Sequence, residues 1–311
     1  MNRIVNRAVL GAALSMLLSA CGGGKDRAAP PERQFASAEE AAAALIAAAG
    51  QFNVAELKAI LGRQGDELVS SADTVADRNR AMAFAAEAQV QQHLEFDSAR
   101  TSAVISVGQS DWPMPIPIVQ SGGKWYFDAS AGKEEILRRR IGQNELDAIT
   151  VCEGFVEAQR EYALERHDGA LVNQYAQRVI STPGKQDGLS WRNPDGTWGG
   201  PVGEEVAGFI GEGYSDKSKP FHGYFFKVLK GQGPDAPLGE MNFLVEGAMI
   251  GGFALVASPA EYGVTGIQTF IVSWEGTVYQ KDLGDKSLEA FKAMERYNPD
   301  STWQVVQDTD N

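Results

Sequence analysis

The sequence predicts an α+β protein in which N-terminal helices and a small curved sheet precede a long helix packed on a C-terminal antiparallel sheet. Apolar residues follow helical spacing early in the chain and again from Asn144 to about Arg166. Strand-like runs separated by turn residues fill much of the last third of the chain. With 311 residues, the chain favours two domains, which we place at 35–142 and 143–311.

Three helices are predicted at the start of the first domain. The first opens on a capping box formed by Ser37 and Glu40 and ends at Gly50. The second is the short segment VAELKAILG. The third is VADRNRAMAFAAEAQVQQHLE, and its spacing places four side chains along one face: Met82, Ala85, Ala86 and Val90.

A hairpin and a further helix complete the first domain. SAVISVG is strand-like, and the prolines of MPIPIVQ assign that run to an edge strand, from which SGG turns into KWYFD. In the helix AGKEEILRRRIG, the basic run 138–140 is expected to stabilise the C-terminal end; a lipid or polyanion contact is the alternative. Helices leading into a curved sheet resemble the cone-like fold of the nuclear-transport-factor-two superfamily, which hosts both enzymes and binding modules.

The second domain begins with the long helix, whose core-facing positions are Ala148, Val151, Cys152, Phe155, Gln159 and Tyr162. Four strand-like runs follow: FHGYFFKVLKG, AMIGGFALVASP, TGIQTFIVSW and GTVYQKDLG. A tight WEG turn joins the last two, and the final helix KSLEAFKAMERY ends before Pro299. The arrangement is similar to the globular part of pilin-like proteins, but a pilin's hydrophobic helix would begin at the mature N-terminus.

The N-terminus has the pattern of a lipoprotein signal peptide over residues 1–20. Arg3 and Arg7 precede an uncharged apolar run that is shorter than the roughly 20 residues needed to span a bilayer. The order Leu-Ser-Ala-Cys ending at Cys21 resembles the bacterial lipobox, which implies that Cys21 is lipidated and becomes the mature N-terminus. The alternative is an ordinary secretory signal with Cys21 as an incidental thiol. Residues 21–34 are predicted to form a tether.

The predicted partner of this end of the chain is therefore the lipid bilayer, bound through acylated Cys21. Bacterial lipoproteins carry two or three acyl chains on this cysteine, and more than one chain gives stable anchoring. Gly22 follows the cysteine where an aspartate would retain an enterobacterial lipoprotein in the inner membrane. The resemblance therefore implies the cell envelope, on the periplasmic face of the outer membrane.

Charge and cysteine content exclude several classes of function. The net charge is −13, and removal of residues 1–20 takes away two arginines and no carboxylate, which leaves −15. Such a chain is repelled by nucleic acids and by anionic lipid surfaces. After lipidation of Cys21, Cys152 is the one remaining cysteine, so no intramolecular disulfide forms, and a buried core residue is favoured over a reactive thiol.

No catalytic motif stands out. The chain lacks H-E-x-x-H, G-x-S-x-G and Walker patterns and has no paired cysteines, so we predict no metal, no cofactor and no assigned catalytic residue. Polar and aromatic side chains in Gly- and Pro-rich turns or near strand ends are the candidate binding residues: Trp191, Trp198, Tyr214, His222, Tyr224 and Tyr262. Such rings form stacking platforms for sugars, peptides or partner proteins; the alternative is that they cover a loop-rich core.

Several sequence blocks resemble one bacterial family. STPGKQDGLSW, FHGYFFKVLKGQGPDAP and GAMIGGFALVASPAEYGVTGIQTFIVSWEGTVYQKDLG, together with upstream blocks such as DWPMPIPIV, are similar to domain of unknown function 2950. The resemblance covers nearly all of the mature chain. It implies a secreted or lipid-anchored envelope protein and supplies no catalytic residue.

Three hypotheses for function follow. The first is a non-catalytic lipoprotein that binds or scaffolds a partner protein or a cell-wall polymer such as peptidoglycan. The second is an envelope or cell-wall hydrolase that uses His222, Glu261 and Asp235. The third is a component of a pilus-like or secretion assembly.

Replacement of Cys21 by serine is expected to release the protein from membranes, because serine offers no thiol for acylation. Fractionation of cells that express the tagged chain, with labelled palmitate, measures this. The Cys152→Ala variant is the control and should stay lipidated and membrane-bound. A labelled Cys21→Ser protein would contradict the lipobox.

Overall fold

The computed structural model describes residues 32–69, 74–203 and 220–307. The chain divides into two compact units between Ala129 and Ser130. The predicted signal peptide, Cys21, most of the tether and Tyr214 lie outside the described residues. Within these ranges, no helix is both long enough and apolar enough to cross a membrane.

The described elements are six helices and seventeen strands. The helices are α1 Ala38–Gly50, α2 Val54–Leu61, α3 Asp66–Val69, α4 Thr74–Val90, α5 Ala129–Tyr162 and α6 Ser287–Ala293. The strands of the first unit are β1 Gln92–Phe96, β2 Ser102–Val107, β3 Trp112–Pro113, β4 Ile118–Ser121 and β5 Lys124–Phe127. Those of the second unit are β6 Arg178–Ile180, β7 Gly188–Arg192, β8 Trp198–Gly199, β9 Tyr224–Leu229, β10 Gly231–Gln232, β11 Met241–Asn242, β12 Leu244–Val245, β13 Ala248–Met249, β14 Ala254–Pro259, β15 Gln268–Ser273, β16 Val278–Asp282 and β17 Gln304–Val305.

The first unit packs helices on an antiparallel sheet of order β1-β2-β4-β5, with β3 paired to β2. Ser37 caps α1 as predicted, because Ser37 Oγ accepts from Glu40 N at 3.1 Å. The Glu40 carboxylate accepts from Ala36 N at 2.9 Å, one residue before the N–H that a capping box uses. The SGG turn is also confirmed, with Gly122 and Gly123 in the left-handed region between β4 and β5. Alanines and larger apolar side chains from both layers form one core.

Three predictions about the first unit were wrong. The third predicted helix ran to Glu95, whereas α4 ends at Val90 and β1 spans Gln92–Phe96. On α4 the buried side chains include Ala85 and Ala88, whereas Met82 is 42% and Val90 62% exposed. Alanines occur all around this helix, so the apolar spacing fixes its buried face only weakly. The MPIPIVQ run is not an edge strand, since β4 starts after the prolines and pairs with both β2 and β5.

The second unit is built on α5, which is a single continuous helix. The two helices predicted on either side of Gly142 are joined, and the predicted domain boundary at 142–143 falls inside α5. One half-buried glycine costs only about 1 kcal/mol, which strong helix formers on both sides offset. The basic run is therefore in mid-helix instead of at a C-terminus, and Arg138 and Arg139 each pair with Glu135 at 2.7 Å.

The main sheet of the second unit is antiparallel, with order β17-β16-β15-β14-β9. The four predicted runs supply β9, β14, β15 and β16, and the predicted WEG turn closes with Gly276 N donating to Ser273 O at 2.9 Å. Helix α5 packs on this sheet, and Phe155 contacts Phe253 edge-on at 5.6 Å between ring centroids. Cys152 is fully buried in the same core, and burial raises the pKa of its thiol. Cys152 is therefore a core residue.

Polar side chains on one side of α5 bind the main chain of neighbouring segments. Glu145 Oε1 accepts from Ile267 N at 2.8 Å and from Gln268 N at 3.0 Å. Asn144 Nδ2 donates to Thr265 O at 2.8 Å. These bonds hold the first half of α5 to the start of β15.

Glu145→Ala is expected to destabilise the protein by about 1–3 kcal/mol, because two backbone N–H groups lose their acceptor. Urea denaturation of the variant measures the shift. Glu153→Ala, an exposed position of the same helix, is the matched control and should leave the transition midpoint almost unchanged. Equal midpoints for the two variants would contradict this role for Glu145.

Candidate functional site

The second unit contains a cavity of about 380 Å³ beside α5. Its volume lies at the lower end of the range for small-ligand pockets. The apolar part of its lining comes from α5, from β6, β7 and β14, and from the segments flanking them: Val151, Phe155, Ala158, Val179, Leu189, Pro201, Val202, Phe221 and Leu255. Gly154 adds an opening on the helix, since a Cβ built there meets nothing within 4 Å.

One end of this first cavity is polar. His222 Nδ1 lies 2.6 Å from Asp147 Oδ2, and the two side chains are 49% and 26% exposed. Thr150 also lines the cavity, but its hydroxyl donates to Leu146 O at 3.0 Å. The Asp147–His222 pair can accept or donate hydrogen bonds to a ligand that enters.

A tight turn holds His222 at this position. Phe221 and Tyr224 exchange two backbone hydrogen bonds of 2.9 Å across it. His222 and Gly223 have φ values of +45° and +76°, as in a type I′ turn. Gly223 cannot be enlarged easily, because a Cβ there would lie 2.5 Å from Asn144 Nδ2. The turn thus fixes the histidine backbone next to α5.

A second cavity of about 410 Å³ lies where α5 ends, and it shares Pro201 with the first. Its aromatic wall is a cluster in which Tyr162 and His167 stack at 3.9 Å and His167 contacts Trp191 at 5.4 Å. His167 is buried, and its Nε2 lies 2.9 Å from Tyr162 O. Burial raises the pKa of Tyr162. Carboxylate side chains of Glu161 and Glu165 also line the cavity.

The structure separates the six predicted binding residues. His222 lines the first cavity and Trp191 the second, whereas Tyr224 is fully buried and donates its hydroxyl to Gln268 O at 2.9 Å. Tyr224 therefore packs in the core and offers no exposed ring. Tyr262 lies in the loop after β14, with its hydroxyl 3.2 Å from Asp282 Oδ2. Trp198 is half-buried beneath the Arg192 guanidinium, and Tyr214 is outside the described residues.

The residues of the hydrolase hypothesis do not line one cavity with His222. Asp235 follows the far end of β9, and about 20 Å of strand separates the two ends. Its carboxylate accepts from Asn298 Nδ2 at 2.8 Å. Glu261 lies in the loop after β14, next to Ala260, whose N–H donates to Gly223 O at 2.9 Å, but it does not line either cavity.

Sequence reasoning missed Asp147 and the cavity-facing side of α5. The predicted core-facing positions included Val151 and Phe155, which line the cavity, but Asp147, Gly154 and Ala158 beside them were not identified. The sequence did contain a signal for this side of the helix. Its small and apolar residues form a stripe wider than the core requires. No sequence pattern connects Asp147 to His222, because the fold alone brings α5 next to the turn before β9.

The fold and these cavities define an α+β protein of two compact units, with a ligand-sized cavity in the second. In the ranges that the structure describes, no group of three or more His, Cys, Asp or Glu side chains is placed to hold a metal ion. The chain belongs to the family described as Protein of unknown function (DUF2950), whose family model matches residues 32–306. This confirms the family identified from the sequence blocks. No curated protein and no solved structure matches the chain.

Proposed function

We propose that this protein is a lipid-anchored envelope protein whose second unit is a binding module for a partner molecule. The observation that carries the proposal is the first cavity, about 380 Å³ in volume, with an apolar floor and the Asp147–His222 pair at one end. The signal-peptide pattern and Cys21 support the anchor and the envelope location.

The two parts of the cavity favour different groups on one ligand. Burial of a group the size of a valine, leucine or phenylalanine side chain against Phe155, Leu189 and Leu255 contributes about 1.5–3 kcal/mol. The Asp147–His222 pair adds directional hydrogen bonds at the polar end. A partner protein offers both kinds of group on one segment. A bare sugar polymer would leave the apolar floor uncovered, so of the two partner classes the cavity favours protein.

Filling the cavity is expected to abolish binding. Gly154→Phe puts a large side chain into the opening, whereas Gly142→Phe changes the same helix at a position that lines neither cavity. The full-length, tagged and lipidated chain is crosslinked in intact cells, and the products are identified by mass spectrometry. Gly154→Phe should lose the main crosslinked partner at least tenfold, and Gly142→Phe should retain it. Equal yields from the two variants would contradict the proposal.

An envelope hydrolase is the second candidate, and the Asp147–His222 pair is the observation that favours it. A histidine held through Nδ1 by a carboxylate can take a proton from water through Nε2. The hydroxyl of Thr150 is occupied by Leu146 O, so a water molecule would be the nucleophile.

His222→Asn tests the hydrolase, because asparagine tolerates the left-handed turn but has no imidazole. If the protein hydrolyses purified wall or envelope material, the variant should be about 100-fold slower or worse. His93→Asn, the same substitution on β1 of the first unit and outside both linings, is the matched control and should keep the wild-type rate. An unchanged rate in His222→Asn, or no hydrolysis by the wild-type protein, would remove the hydrolase candidate.

A further inference from the structure

We infer that the two cavities form one groove, and that its ligand is an extended segment of a partner protein with apolar residues in its middle and a basic residue near each end. The inference rests on the proposed binding function and names the class of partner. Here the groove means the two linings described above, from Asp147 to Glu165 along α5 and its end.

The continuity of the groove follows from helical spacing. Asp147, Ala158 and Glu161 lie on one side of α5, and Glu165 lies in the irregular segment after the helix ends at Tyr162. Pro201 lines both cavities from the opposite wall. From Asp147 to Glu161 the helix rises about 21 Å. An extended peptide covers that distance with about seven residues.

The charges of the groove favour a ligand with two positive ends. Asp147 lies at one end, where its Oδ2 is 2.6 Å from His222 Nδ1 and its Oδ1 accepts from Gln143 Nε2 at 3.0 Å. Glu161 and Glu165 lie at the other end and are exposed. The linings described for the two cavities contain no lysine or arginine. The net charge of −13 acts in the same direction, since it attracts a basic segment over a longer range.

The aromatic ring of Trp191 at the second-cavity end of the groove favours arginine as the basic residue of the ligand. Trp191 lines this end together with Glu161 and Glu165, and its indole is half-buried. An arginine side chain can stack its guanidinium on an indole and bind carboxylates with the same group. The middle of the groove is apolar, with Phe155 and Leu189 in its wall, and suits valine or leucine side chains.

A peptide meets these conditions better than other envelope molecules do. An acyl chain fills an apolar channel but brings no cation to both ends. A sugar chain stacks on Trp191 but leaves the apolar middle without a partner. A basic-apolar-basic peptide pairs with both ends and covers the floor between them.

The direct test measures binding of three fluorescent, end-capped peptides to the full chain carrying Cys21→Ser, by anisotropy at low salt. The probes are KALVLAR, the acidic-ended EALVLAE and the polar-centred KASGSAR. KALVLAR is expected to bind at least tenfold more tightly than the other two. The double variant Glu161→Gln/Glu165→Gln should weaken KALVLAR at least tenfold. The matched control Glu153→Gln/Glu157→Gln, at exposed positions of α5 outside both linings, should not.

A photocrosslinking amino acid at position 150, on the edge of the first cavity, tests the binding module and the basic peptide separately in cells. Attachment to a partner protein that is lost with Glu161→Gln/Glu165→Gln supports the basic peptide. If a partner protein is attached equally with and without those substitutions, the peptide inference is overturned, but the proposal of a binding module is supported. Attachment to a lipid or a wall fragment, or equal binding of the acidic-ended peptide, also overturns it. Attachment only within the chain itself overturns both.

Discussion

The carboxylate of Glu145 accepts two backbone N–H groups where β15 begins, and these bonds fix the register of α5 on the sheet. Hydrogen bonds to a charged acceptor are stronger than neutral ones, and a helix transmits a fixed position rigidly along its axis. Two residues further on, Asp147 therefore meets His222. The apolar lining of the first cavity follows from the same register. A shift of α5 by one residue would turn Asp147 and Ala158 away together.

The cavity itself depends on where α5 carries small side chains. Cys152 and Phe155 fill the space between the helix and the main sheet, and Phe155 packs against Phe253. The adjacent stripe has Gly154 and Ala158, which leave room beside the β6–β7 pair. The helix thus uses large residues where the core must be filled and small residues where space remains open. The ring cluster of the second cavity continues this surface past the helix end.

Much of the second unit could be predicted from sequence, because its strands alternate with clear turn signals. The WEG turn, the four main strands and the burial of Cys152 follow from local patterns. Predictions from local patterns were wrong where they relied on a single glycine or proline. Gly142 does not end α5, and the prolines before β4 do not make it an edge.

The candidate site was less predictable than the fold. His222 and Trp191 were identified as aromatic residues in turns or at strand ends, but the same reasoning also selected Tyr224, which is buried. The first three residues of β9, Tyr224 to Phe226, are all buried, so this end of the strand is covered on both faces. Asp147 had no local signal, since its role exists only through contact with a distant turn. Long-range pairing, not composition, therefore defines the site.

The side chain of Gln159 makes the opening of one loop in the second unit measurable. It is fully buried and forms two bonds of 2.8 Å with Ala176, accepting from the amide N–H and donating to the carbonyl, as a neighbouring strand would. Ala176 itself lies outside regular secondary structure. Its amide hydrogen can exchange with solvent deuterium only when its bond to Gln159 opens. The exchange rate of this one loop amide thus reports the free energy that holds the loop segment on α5.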